Sequence, residues 1–173
     1  MLPPLDGKSV RIHFWPGLTA DQKRLYSNKS RGIPVHAGAF IRKRKIVLDS
    51  ELRESPRELA RILVHEIFHF AWVRLSNQAR VSYEHLIRRE FAVGARGELG
   101  WSAESLKRSI PRRHGVASDG KKWRDYLCES FCDTAAWLYS GTRNHAEFTL
   151  AATFRSRRAK WFESTFGAAG IPI

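Results

Sequence analysis

The sequence predicts an α+β domain, and three features of the chain lead to that fold class. Short segments rich in β-branched and aromatic residues come first, in the ranges 8–15, 33–41 and 45–49. Longer segments with apolar residues at helical spacing follow, most clearly at 56–75 and 123–140. The chain also lacks internal repeats and low-complexity tracts, and strands followed by helices are typical of a small α+β domain.

Length and composition favour one folded domain over residues 1–173. A chain of 173 residues suits a single sizeable core, and a hydrophobic content of 43% excludes a disordered protein. No apolar run reaches the roughly 18 residues of a membrane-spanning helix. The N-terminus lacks the features of a secretory signal, so we expect no membrane partner and a cytoplasmic location.

The chain is strongly basic, with a net charge of +13. Its basic residues cluster at 42–45, 107–113, 121–124 and 155–160. A balance of this size fits binding to a nucleic acid or to another acidic partner. The sequence has no zinc-finger spacing and no aromatic RNA-recognition motif, so this expectation rests on charge alone.

The N-terminal third predicts strands with one short helix. Residues 8–15 alternate and end at a Pro-Gly pair, which predicts a strand. A threonine at the start of 19–27 is a suitable N-cap, so we expect a short helix there. Residues 33–41 and 45–49 predict a hairpin whose basic turn hinders pairing with another sheet.

The main helix has a well-defined start. Ser55 is a natural N-cap and Pro56 suits the first helical position. Glu58, three residues after Ser55, completes a capping box. Apolar residues continue at helical spacing, so the helix is predicted to run to about Leu75.

The remaining elements are predicted mainly as helices and loops. Tyr83 begins a helical segment, Ser102 is a suitable cap for the next one, and Gly141 ends a long helix. The predicted helices are 83–93, 103–109, 123–140 and 144–166, and the predicted loops are 94–100 and 111–120.

Residues 65–69, HEIFH, place two histidines and a glutamate inside an apolar helix. Burying such groups without partners costs several kcal/mol. His65 and His69 lie four residues apart, so they share one helix face and can reach one zinc ion. Glu66 stands beside them, where it can take a proton from a water whose pKa the metal lowers to about 7. The alternative is a pair of core histidines hydrogen-bonded to carboxylates.

The HEIFH segment resembles the active-site helix of the zincin metallopeptidases. The resemblance covers 55–75 and 123–141. It implies a small zincin-like domain with a short twisted sheet packed on the active-site helix and a second helix that carries a ligand. In that superfamily a strand edge beside the helix usually holds the substrate backbone, a role that 37–41 and 45–49 could supply.

A catalytic zinc site needs a third protein ligand, and Glu129 is our prediction. Asp133 follows four residues later on the same predicted helix, where it can accept the outer N–H of a ligating histidine. This Glu-x-x-x-Asp pattern is similar to that of the gluzincin branch. The resemblance implies that Glu129 is the third ligand and that Asp133 supports His65.

Other candidates for the third ligand remain open. Glu90 lies at a shorter distance along the chain but has no aspartate four residues later. His114, followed by glycine, is similar to the third histidine of the SprT-like DNA-repair peptidases. Cys128 and Cys132 are expected to be small buried thiols, with metal ligation as the alternative.

A peptidase also needs a donor for the developing oxyanion. Tyr126 lies one turn before Glu129 and is one candidate. His145, just after the same helix, is the second.

The sequence therefore predicts a zinc-dependent metallopeptidase that cleaves a protein or peptide substrate, with Zn²⁺ as cofactor and Glu66 as general base. The alternative is a regulatory or DNA-associated zincin-like protein, similar to the ImmA/IrrE or SprT-like proteins, that uses its basic surface to bind nucleic acid. The substrate and the oligomeric state are not indicated by the sequence.

Overall fold

The computed structural model describes residues 2–22, 24–110, 120–167 and 170–173. Its helices are α1 (Pro56–Arg74), α2 (Asn77–Ala92), α3 (Trp101–Ser109), α4 (Gly120–Tyr139) and α5 (Ala152–Phe166). Its strands are β1 (Leu5–Asp6), β2 (Arg11–Trp15), β3 (Thr19–Asp21), β4 (Arg24–Tyr26), β5 (Ile33–Pro34), β6 (Ala37–Phe40), β7 (Lys45–Asp49) and β8 (Ile171–Pro172). The α+β prediction is confirmed. Among the described helices, none combines the length and the apolar character needed to cross a membrane.

The predicted hairpin is formed by β6 and β7. The two strands pair antiparallel, and β2 adds to the other side of β7 in parallel, which gives the order β2-β7-β6. A short 3-10 turn at Ile41–Lys43 and Arg44, with a φ of 46°, make the connection. Within the described chain, β6 is therefore an edge strand of this sheet, and that edge lies beside α1.

The helix predicted over 19–27 is wrong. This segment forms a tight antiparallel pair, β3 and β4, and β5 joins on the other side of β3. Gln22 lies at the turn with a φ of 44°, a left-handed conformation that interrupts a right-handed helix. Residue Thr19 is an N-cap candidate by type, but pairing with the two neighbouring strands overrides that local preference.

Helix α1 begins at Pro56, as predicted, but the capping box does not form. The Ser55 side chain makes no capping hydrogen bond. Glu58 instead forms an ion pair with Arg61 one turn later. A buried guanidinium requires a carboxylate partner more than the first turn requires a capping side chain, and this explains the difference.

The apolar core forms where the helices and the β2-β7-β6 sheet meet. Helix α1 packs against α4 and against both β6 and β7. Fully buried apolar side chains of this core include Ile46, Leu48, Phe68, Phe70, Phe131 and Phe162. Each such side chain contributes about 1.5–3 kcal/mol relative to full exposure. The packing therefore fixes α1 and α4 face to face.

The last helix starts later than predicted. Helix α5 begins at Ala152 rather than near residue 144. The preceding loop makes long-range contacts, because the Thr149 N–H donates to the Glu98 carbonyl at 2.9 Å and Glu147 accepts from the Trp101 N–H at 2.8 Å. These bonds tie the loop to the start of α3.

A buried ionic network joins the helices behind α4. The guanidinium of Arg158, which is 0% exposed, donates to Glu90 Oε2 at 2.6 Å and to Glu98 Oε2 at 2.7 Å. Lys107 Nζ and the Tyr126 hydroxyl donate to Glu98 Oε1 at 2.8 and 2.5 Å. Four helices, α2 to α5, thus contribute a charged or hydroxyl group to one cluster.

We expect Glu98→Gln to lower the free energy of unfolding by about 3–5 kcal/mol at neutral pH, because Arg158 and Lys107 then lose a buried counter-charge. Denaturant unfolding measures this difference. The exposed Glu54 provides the matched control, and Glu54→Gln is expected to change stability by less than about 0.5 kcal/mol. Equal effects of the two variants would contradict the prediction.

The same carboxylate makes stability depend on pH. Burial raises the pKa of Glu98, but its bonds to Arg158 and Lys107 outweigh burial and lower the pKa below its ordinary value. A lowered pKa contributes stability above the unfolded-state pKa, about 4.3, and that stability is lost as pH falls through the folded-state pKa. As pH falls below about 4.3, the free energy of unfolding of the wild type should therefore decrease more than that of Glu98→Gln, as measured by denaturant unfolding.

Candidate metal centre

The packing of α1 on α4 brings three predicted ligands together. His65 and His69 project from successive turns of α1, and their Nε2 atoms lie 3.2 Å apart. Glu129 reaches them from α4, with Oε2 3.3 Å from His65 Nε2 and Oε1 3.9 Å from His69 Nε2. Residues about 60 positions apart in sequence thus meet at one point.

These separations fit the ligand shell of a small cation. A tetrahedral ion with bonds of about 2.0–2.1 Å to nitrogen and oxygen separates its ligand atoms by about 3.3–3.4 Å. The distances from His65 Nε2 to His69 Nε2 and to Glu129 Oε2 are within 0.2 Å of that range. The distance from His69 Nε2 to the other carboxylate oxygen, Glu129 Oε1, is 3.9 Å, about half an ångström longer than that range.

Asp133 orients the first imidazole. Its Oδ1 lies 2.7 Å from His65 Nδ1, and Asp133 is only 2% exposed. A carboxylate accepts hydrogen bonds, so Nδ1 carries the proton and Nε2 turns towards Glu129. The second oxygen, Oδ2, accepts the Ala103 N–H at 3.1 Å, which fixes the first turn of α3 over the same aspartate.

Gly100 makes this approach of α3 possible. A Cβ atom at Gly100 would lie 2.2 Å from the carboxyl carbon of Asp133 and 2.3 Å from both of its oxygens. Those distances are far shorter than any non-bonded contact. The glycine predicted to end a loop is therefore required for the contact between α3 and Asp133.

The two cysteines lie on the opposite edge of the second imidazole. Cys128 Sγ is 3.4 Å and Cys132 Sγ is 3.5 Å from His69 Nδ1. The ligand atoms of His65, His69 and Cys132 lie within 4.8 Å of one another, as do those of His69, Cys128 and Glu129. The structure thus contains His/Cys/Glu groups able to hold a metal ion, and the thiols belong to them.

Burial and neighbouring charges set the protonation of both imidazoles. Burial lowers the pKa of His65, but Asp133 and Glu129 raise it well above its ordinary value. Burial also lowers the pKa of His69, but the hydrogen bond with Cys128 and the charge of Glu129 raise it to about 9. Each ring must release a proton before it ligates a cation, so higher pH favours metal binding.

Glu66 follows His65 on α1 and lines the same cavities, and among the described residues it makes no ion pair with either histidine. It is 7% exposed, and burial raises the pKa of its carboxyl group. A buried carboxylate with a raised pKa is suited to accept and return a proton near neutral pH.

Two cavities meet at Glu66. The Arg61 cavity, of about 300 Å³, lies between α1, the chain before β6 and the start of α3. The Cys128 cavity, of about 480 Å³, lies between α1, β6 and α4. The residues that line both are Ala37, His65, Glu66 and Ser102. Both cavities therefore lie between the start of β6 and the His65 imidazole.

The two predicted oxyanion donors are not brought to the ligands. Tyr126 is fully buried, and its hydroxyl donates to Glu98 rather than towards Glu129. It shares a stripe of α4 with Ser130, on the side that faces the Arg158 network. His145 lies beyond Arg61, with Nε2 3.3 Å from Glu58 Oε2.

The alternative third ligands have different outcomes. Glu90 binds Arg158 in the buried network, so it is not available to the HEIFH histidines. His114 lies outside the described residues.

Ser102 is a site residue that the sequence did not indicate. Its type suggested only a helix cap, but α3 begins one residue earlier, at Trp101. The side chain is half-buried, lines both cavities, and has no hydrogen-bond partner among the described residues. Its position depends on the contact between Asp133 and Ala103, which are 30 residues apart. The residues around Ser102 in the sequence therefore do not reveal that position.

Some of the basic side chains form ion pairs with carboxylates of the same chain. Arg61, Lys107 and Arg158 are buried and form ion pairs with carboxylates. Arg108 and Lys121 form exposed pairs with acidic residues four positions away. Nucleic-acid binding stays a prediction from charge.

Comparison of the chain with protein-family models, with curated proteins and with solved structures finds no match. The zincin resemblance of 55–75 and 123–141 stays a prediction. An assignment of function therefore depends on the geometry of the centre.

We expect Gly100→Ala to weaken divalent-metal binding by about 10–100-fold, the range typical of losing a carboxylate behind a ligating histidine. The added methyl group displaces Asp133 from His65. Titration with Zn²⁺ measures the affinity. Gly120→Ala is the matched control, because among the residues that the structure describes a Cβ there meets only Arg124 Nη1, at 3.4 Å. Equal zinc affinities of the two variants would refute the role assigned to Gly100.

Proposed function

We propose that the chain is a zinc-dependent metallopeptidase that hydrolyses peptide bonds in a protein or peptide substrate. The observation that carries the proposal is the approach of His65 Nε2, His69 Nε2 and the Glu129 carboxylate to within 3.2–3.9 Å. A zinc ion bound by such ligands supplies a Lewis acid and lowers the pKa of water. A buried glutamate beside the ligands favours catalysis, because a structural zinc site has no need of a base.

Glu66 moves the proton in this proposal. Its carboxylate takes a proton from the attacking water as the water oxygen bonds to the scissile carbonyl carbon. It then passes that proton to the amine nitrogen as the C–N bond breaks. Burial raises the pKa of its carboxyl group above the ordinary value. That direction favours both steps, since a general base works best when its pKa is closer to the working pH.

The edge of β6 is the proposed support for the substrate backbone. Ala37, Gly38 and Ala39 line the Cys128 cavity together with Glu66 and His69. Their small side chains leave space for an extended peptide, and the edge has no partner strand in the described chain. A peptide added as a strand would pair with the free backbone groups of β6, and the scissile carbonyl of the peptide would then face the centre.

Ser102 is the proposed donor to the developing oxyanion. Its hydroxyl has no partner in the described part of the chain and lies where the two cavities meet at Glu66. It belongs to the first turn of α3, whose N-terminal dipole also favours negative charge.

Zinc content and peptidase activity of variants test the proposal. Glu129→Ala is expected to weaken zinc binding by more than the roughly 10–100-fold typical of an outer-shell partner. Glu66→Gln is expected to keep zinc and to lose about 10²–10⁴-fold in activity on a denatured protein. Mass spectrometry and peptide-release assays measure the two quantities, and Glu54→Ala is the matched control.

Two results would overturn the proposal. The first is a wild type that binds no zinc after refolding with excess metal, which returns His65 and His69 to core histidines. The second is zinc that Glu129→Ala retains and Cys132→Ala loses, because the ligands are then thiolates.

We expect Ser102→Ala to lower kcat by about 10²-fold, the lower limit for loss of one oxyanion donor, with little change in KM. Its zinc content should equal that of the wild type. Ser105→Ala, at an exposed position of the same helix, is the control. A kcat unchanged in Ser102→Ala would exclude the hydroxyl as a donor.

A further inference from the structure

Three potential ligand atoms gather at the Nδ1 edge of the His69 ring. They are Nδ1 of the imidazole and the two thiol sulfurs of Cys128 and Cys132, at 3.4 and 3.5 Å from that nitrogen. The cysteines lie one turn apart on α4, so both sulfurs point to the same ring edge. We infer that His69 Nδ1, Cys128 and Cys132 form a second metal site, here called the thiol site, that takes a soft, thiophilic cation.

The observed separations match such an ion. Bonds of about 2.3 Å to sulfur and 2.0–2.1 Å to nitrogen, at a tetrahedral angle, separate the two ligand atoms by about 3.6 Å. The two sulfur–nitrogen distances are 0.1–0.2 Å shorter. Two thiolates and one imidazole are the ligand set that soft cations prefer.

An ion has a route to the thiol site. Cys128 is half-buried and lines the Cys128 cavity together with His69 and Glu129. Cys132 is completely buried directly behind them. Each ligand that still carries a proton on its ligating atom must release it when the ion binds.

Occupation of the thiol site would oppose zinc binding at the His65–His69–Glu129 set. A neutral imidazole has one lone pair, so an ion on Nδ1 of His69 leaves the proton on Nε2. Nε2 then no longer ligates zinc. This competition rests on the proposed function, whereas the thiol site itself does not.

Cadmium titration of the full-length, reduced protein tests the inference. Cd²⁺ bound to thiolates gives an ultraviolet charge-transfer absorption that nitrogen and oxygen ligands do not give. We expect it to saturate at one Cd²⁺ per chain in the wild type and in His65→Ala. Bound Cd²⁺ should also protect the half-buried Cys128 from alkylation.

The cysteine variants and the histidine control decide the outcome. Cys128→Ala and Cys132→Ala should each lose at least half of the absorption and bind Cd²⁺ at least tenfold more weakly. Replacement of the exposed His85 by alanine should have no effect. If the buried Cys132 variant fails to fold by circular dichroism, Cys128→Ala alone carries the test.

Two results would overturn the inference. One is the absence of charge-transfer absorption at saturating Cd²⁺ in His65→Ala, with Cys128 still alkylated at the rate of the metal-free protein. The other is an absorption that both cysteine variants retain in full. Neither result depends on whether Glu129 holds zinc, so failure of the thiol site and failure of the proposed peptidase are distinguishable.

Discussion

The carboxylate of Asp133 is the contact on which the centre depends. It joins three helices, because it comes from α4, binds His65 on α1 at 2.7 Å and accepts the Ala103 N–H of α3 at 3.1 Å. One oxygen determines which nitrogen of His65 carries the proton, and the other places the first turn of α3 over the cleft. A buried carboxylate needs hydrogen-bond donors. The packing of α3 and the orientation of the His65 ring each supply one donor to Asp133. Both contacts require glycine at position 100, because a larger side chain would clash with the Asp133 carboxylate.

Helix α4 is held by polar contacts on two faces. One face presents Glu129 and Asp133 to α1, and the other presents Ser130 to the Arg158 network. Buried ion pairs add little net stability compared with apolar packing, because desolvation opposes their attraction. They do penalise any shift of a helix that leaves a charge without a partner. We interpret the Arg158 network as a constraint on the rotation of α4, and thus on where Glu129 points.

The sequence predicted the features of the centre that depend only on residue spacing within one helix. His65 and His69, and likewise Glu129 and Asp133, are four residues apart, so helical geometry alone places each pair on one face. Tyr126 shows the limit of that reasoning. It lies three residues before Glu129, about 60° away around the helix axis. Its hydroxyl donates to the buried Glu98 instead of reaching the HEIFH histidines, and that partner comes from a distant segment. The hairpin at 19–27 and the position of Ser102 depend on contacts with distant segments, which no local pattern reveals.

The opposing helix, rather than the HEIFH segment, determines the chemistry of the centre. The segment supplies two imidazoles and a base, and each imidazole has two nitrogens. On α4 the consecutive residues Cys128 and Glu129 point to opposite edges of His69, with sulfur near Nδ1 and oxygen near Nε2. One helical turn thus presents a soft and a hard ligand to the same ring. Since a neutral ring ligates through one nitrogen only, the proton on His69 selects between them. Under the two proposals, the nitrogen of His69 that lacks a proton would determine which cation binds.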